Sequence, residues 1–117
     1  MQIKILIMSQ RPERLVHEYQ TIFGLNFITD ERYKDLYVCR EENGGQSCIT
    51  IQQLKDGEPF HPISFCIQVD SHEELERIRK AIREYPYPEG HKKTDLSHED
   101  NILSHKDIDG NSIGIIM

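Results

Sequence analysis

Lys106-Asp107-Ile108-Asp109-Gly110-Asn111-Ser112-Ile113-Gly114-Ile115-Ile116-Met117 joins a turn signal to a strand signal within twelve residues. Asp109-Gly110-Asn111 supplies residues that tolerate positive φ, which predicts a tight turn. The Ile113, Ile115, Met117 alternation that follows has the period of a strand with one buried face. A tight turn running into a core strand is the local expectation.

Working outward, Ile63, Phe65, Ile67 and Val69 alternate with Ser64, Cys66 and Gln68, the pattern of a half-buried strand. Ser71 and Glu74 then form a capping box, Leu75, Ile78, Ala81 and Ile82 make a buried helical stripe, and Pro86 ends the helix. Glu73, Glu74 and Glu76 near its start and Arg79, Lys80 and Arg83 near its end complement the helix dipole.

The first half repeats this order. Ile3, Ile5 and Ile7 alternate with Lys4, Leu6 and Met8; Ser9 offers an N-cap, Pro12 suits a first helical turn, and Gly24 stops a helix striped by Leu15, Val16, Tyr19, Ile22 and Phe23. Short strands are expected over 25–29, 36–40 and 47–53, with Glu42-Asn43-Gly44-Gly45 as a hairpin turn. The halves correspond at a shift of roughly sixty residues, pairing Ile3 with Ile63, Ile5 with Phe65, Leu15 with Leu75 and Ile22 with Ile82. A polar tract after Tyr85-Pro86-Tyr87-Pro88 is compatible with an edge strand or a loop.

Composition excludes several classes of function. With 14 basic and 20 acidic residues the formal net charge is -6, which disfavours nucleic acid and anionic membranes as partners. No apolar run approaches the ~20 residues of a membrane helix, and the segment around Lys4 lacks a signal peptide's form, so a cytoplasmic location is expected. Cys39, Cys48 and Cys66 are odd in number and widely spaced, as reduced thiols are. At 117 residues the chain suits one domain built of two repeats, about 1–55 and 61–117.

Asp107-Ile108-Asp109-Gly110-Asn111-Ser112-Ile113 resembles the D-P-D-G-N-x-I segment of the vicinal oxygen chelate superfamily, which includes glyoxalase I, bleomycin resistance proteins and ring-cleaving dioxygenases. Phe23-Gly24-Leu25-Asn26-Phe27 resembles the same superfamily's passage out of its first helix. The resemblance implies an α+β fold of two βαβββ modules, each sheet curled about a concave face away from the helices, and a homodimer. The strand alternation then assigns that face to Lys4, Leu6 and Met8; Cys48, Thr50 and Gln52; Ser64, Cys66 and Gln68; and Ser112, Gly114 and Ile116.

Metal-dependent relatives carry His, Glu or Gln on the first and last strands of each half. The corresponding positions here are Lys4, Gln52, Ser64 and Gly114, with glycine where the superfamily's glutamate follows the D-G-N-x-I run. That set does not make a metal site, so neither a metal nor another cofactor is expected. The register near His61 is loose enough that a slip would bring that histidine nearer. His91, His98 and His105 with Glu99 match no common ligand spacing; His105, preceding the turn, is a pocket candidate of undecided parity. A nucleophilic Cys66 would need a positive field, for which Lys4 is the candidate. Tyr85 and Tyr87 are either pocket rim or packing.

The expected function is therefore that of a glyoxalase/bleomycin resistance-like protein. It binds a small organic molecule, without metal, in a pocket lined by Lys4, Gln52, Ser64, Cys66, Gln68, Gly114 and His105. The alternative is a metal-dependent lyase or dioxygenase with displaced ligands.

Overall fold

A computed structural model describes residues 3–40, 46–91 and 102–117. Contacts divide the chain into two compact units, Met1–His61 and Pro62–Met117. The expected hairpin turn at 42–45 and most of the polar tract, 92–101, lie outside the described residues.

The first unit runs β1 (Ile5–Ser9), α1 (Pro12–Phe23), β2 (Asn26–Asp30), β3 (Tyr33–Arg40) and β4 (Gln46–Gln53). Its sheet has the order β1-β4-β3-β2, with β1 parallel to β4 and the other pairs antiparallel. α1 begins with Pro12 at the first position, where a missing N–H costs nothing, and stops at Gly24, whose φ of 69° places it in the left-handed region. Leu15, Tyr19 and Ile22 on its stripe and Ile7 and Ile51 on the sheet are wholly buried, each worth about 2 kcal/mol of transfer free energy. Tyr19 meets Phe23 edge-on at 5.5 Å and Phe27 of β2 at 6.4 Å between ring centroids, fixing the helix exit against the sheet.

Two expectations change here. Ser9 is not the helix cap: Arg11 occupies that position without a side-chain bond, and Ser9 Oγ accepts from Arg11 N at 3.2 Å, bracing the turn before the helix. β3 also begins earlier than the alternation suggests, because Asp35 within it adopts φ 64° and interrupts the period.

The second unit runs β5 (Ser64–Gln68), α2 (His72–Glu84), β6 (Ile102–Lys106) and β7 (Ser112–Ile116). Among the described residues its sheet is β5-β7-β6, β5 parallel and β6 antiparallel to β7. Ser71 caps α2 as expected, its Oγ accepting from Glu74 N at 3.1 Å. Leu75, Ile78 and Ile82 are buried; Arg79 is buried as well, paired at 3.2 Å with Glu76, whereas Ala81 is half-exposed. Tyr85 ends the helix in an extended conformation, as the residue before a proline must.

The turn between β6 and β7 is built around a buried carboxylate. Asp107 Oδ1 accepts from Asp109 N at 3.0 Å and Asn111 N at 2.9 Å, and its Oδ2 accepts from Asn111 Nδ2 at 2.9 Å. Asn111 Oδ1 in turn accepts from Ile63 N at 2.9 Å, carrying the network to the start of β5. Gly110 holds φ 94°, which explains a glycine at that point.

Asp107→Ala strands two backbone donors and one amide in a site with no water access, so it should lower unfolding free energy by about 3 kcal/mol, measured by urea denaturation. Asn111→Ala should cost less, because Asp107 keeps its bond from the residue 111 amide.

Tyr37 supplies a pH prediction. Burial first, then the hydrogen bond from its hydroxyl to Glu13 Oε1 at 3.1 Å and the nearby charges of Glu13 and Asp35, raise its pKa above 10.0. The folded state holds this proton more tightly than the unfolded chain. Its stabilising contribution is therefore complete below pH 10.0 and lost as pH rises through the folded pKa. Between pH 9.5 and 11.5 the parent protein should lose more thermal stability than Tyr37→Phe; equal slopes would contradict this assignment.

Candidate functional site: the open sheet faces

Strand pairing sorts the second sheet into two faces. Phe65, Ile67, Ile113, Ile115, Leu103 and His105 share one; Leu103, His105, Ile113 and Ile115 there are at most 2% exposed. The other carries three rows across β6, β7 and β5: Lys106, Ser112 and Ser64; Ser104, Gly114 and Cys66; Ile102, Ile116 and Gln68. Neighbours within a row are about 4.8 Å apart and successive rows about 6.6 Å. Every side chain of this face is exposed or half-exposed.

Ser64, Cys66, Gln68 and Gly114 thus come together on one open face, as the alternation implies. Gly114 lies at its centre, and a Cβ built there would stand 3.2 Å from Cys66 Sγ. The thiol leans over the glycine and occupies space that any side chain at 114 would need. Sequence reading missed Ser104 and Lys106; the Leu103/His105 alternation holds the signal, and it became decisive only through pairing with β7.

His105 is the correction. It pairs with Ile113 on the buried face, opposite in parity to Ser104 and Gly114, and is 2% exposed. Its Nε2 is hydrogen-bonded to Tyr87 Oη at 2.9 Å. The Tyr87 ring stacks on His91 at 4.1 Å and packs against Tyr85 at 4.7 Å, so both tyrosines serve packing. His91 Nε2 bonds the carbonyl of Lys106 at 3.1 Å and must be the donor, since a carbonyl only accepts.

In the first sheet the open face carries Leu6, Thr50, Val38 and Ile28 in one row and Met8, Gln52 and Leu36 in the next. It is largely apolar, and Leu6 is 49% exposed. Gln52 lies opposite Met8, whereas Lys4 is exposed and four residues earlier, roughly 13 Å along the strand. These two candidates do not meet. The side chain of Cys48, and all of His98 and Glu99, lie outside the described residues. His61 is exposed. Among the described residues no group of three or more His, Cys, Asp or Glu side chains could hold a metal ion.

Ser64 faces Ser112 and Gly114 faces Cys66 across the parallel pair, which brings together hydroxyls and a thiol over a glycine but no carboxylate or imidazole.

No protein-family model and no curated protein matches the sequence. Solved structures do match along almost the whole chain. The structure of a possible glyoxalase from Bacillus cereus has TM-score 0.69 at 16% identity, covering 100% of this chain and 99% of that one. Lactoylglutathione lyase from Agrobacterium tumefaciens has TM-score 0.66 at 14% identity, covering 99% and 92%. A glyoxylase/bleomycin resistance protein/dioxygenase domain from Frankia sp. EAN1pec has TM-score 0.66 at 12% identity, covering 97% and 87%. Identities this low speak to the fold and leave the reaction open. The chain has the glyoxalase-like fold of these solved structures.

Proposed function

We propose that this protein binds a small organic molecule on the open face of its second sheet without the help of a metal, in the manner of the bleomycin resistance branch of the vicinal oxygen chelate superfamily. One observation carries the reading. At the position where metal-dependent relatives supply a carboxylate, this chain has Gly114, and the Cys66 thiol stands where a side chain would grow. The open face of the second sheet offers hydroxyls, an amide, one thiol and an ammonium, which hydrogen-bond organic ligands, and a single thiol among them falls short of the three or more ligands a divalent ion needs. Ile102 and Ile116 on that same face add apolar surface, and mixed lining of this kind suits an organic guest. The two units forming one domain, a cytoplasmic location and a homodimer belong to the same reading, all three resting on the resemblance and the composition.

Protein purified without a histidine tag should contain substoichiometric metal, and nickel, zinc, iron or manganese should leave its Tm unchanged. A bound metal whose addition raises Tm with concentration would replace this reading with that of a metal-dependent lyase or dioxygenase. Sedimentation should give a species of twice the 13.7 kDa chain mass; a monomer would remove the dimer from the proposal.

A further inference from the structure

Among the described residues, nine positions form the open face of the second sheet and hold one cation, Lys106, and no acidic residue, in a chain of formal net charge -6. Lys106 shares a row with Ser112 and Ser64, so an ammonium and two hydroxyls line one end of the face. Ser104 adds a third hydroxyl in the next row. None of these four side chains takes a hydrogen bond or ion pair among the described residues. The opposite end presents Ile102, which is 60% exposed, and half-exposed Ile116. The centre, at Gly114, has no side chain of its own. Polar donors at one end, a shallow middle and apolar surface about 13 Å away make an oriented receptor.

Resting on the binding reading above, we propose that the ligand of this face is an organic anion. Its carboxylate sits between Lys106, Ser112 and Ser64, and its apolar body runs over Gly114 and Cys66 toward Ile116 and Ile102. An ammonium and hydroxyls donate to carboxylate oxygens, and charge-assisted bonds of this type are stronger than neutral ones. A cationic guest is repelled by Lys106, and a neutral one gains only the weaker bond of an ammonium to an uncharged acceptor. Cys66 needs no chemistry in this role; its thiol is the neighbour that a bound ligand covers.

Biphenyl-4-carboxylate and its neutral isostere biphenyl-4-carboxamide are suitable probes, titrated by calorimetry into the parent protein, Lys106→Gln and the control Lys80→Gln. Lys106 and Lys80 are both exposed, so neither substitution should disturb folding, which circular dichroism would verify. The carboxylate should bind about tenfold more tightly than the amide, and Lys106→Gln should erase that difference while Lys80→Gln preserves it. Saturating carboxylate should also slow alkylation of Cys66 by iodoacetamide, read on the Cys66 peptide by mass spectrometry. Equal binding of acid and amide, or binding that ignores Lys106→Gln or leaves Cys66 unprotected, would overturn the anion assignment and leave the metal-free binding reading in place. Failure of both probes to bind would overturn it too, whereas only a stabilising metal would bring down the broader reading.

Discussion

The carboxylate of Asp107 is the constraint on which the second unit depends. A wholly buried carboxylate is tolerable only when hydrogen bonds replace its water, and here Asp109 N, Asn111 N and Asn111 Nδ2 do so. Because Asn111 passes the connection on to Ile63 N, one side-chain pair fixes both the reversal from β6 to β7 and the alignment of β7 beside β5. Ser112 N to Ile63 O at 2.9 Å and Val69 N to Ile116 O at 2.8 Å close that parallel pairing at its two ends. A slip by one residue would exchange the two faces of the sheet, putting Ile113 and Ile115 in water and Ser112 and Gly114 in the core.

The site follows from that register. Once Gly114 lies between Cys66 and Ser104, hydroxyl, amide, thiol and ammonium groups face outward together with Ile102 and Ile116, and Leu103, His105, Ile113 and Ile115 go inside. Gly114 lets the Cys66 thiol lie across the strand, and the proposed metal-free binding of an organic group rests on that arrangement.

Local chemistry made much of this readable beforehand. The Asp-Gly-Asn turn, the Ile63-to-Val69 alternation and the Ser71 cap are short-range features whose causes lie within a few residues, and they appear where the pattern puts them. The extent of β3 was hidden because the left-handed Asp35 breaks its period. Ser9 looked like a cap because a serine before a helix usually is one; the chain needed two further residues to turn, and the hydroxyl bonds Arg11 instead.

The sequence by itself determined the order of elements, the turn chemistry and, for β5 and β7, which side chains share a face, because those follow from a fixed strand period and from glycine's conformational freedom. The parity of β6 came from strand pairing, since five residues carrying Ile, Leu, Ser, His and Lys have no clear apolar face until β7 pairs with them. The tertiary structure likewise decided that Lys4 and Gln52 lie apart, that His105 is buried beside Tyr87, and that Lys106 joins Ser64 and Ser112. Each of these is a relation between strands distant in sequence, and hydrogen-bond register, which no single segment encodes, sets them all.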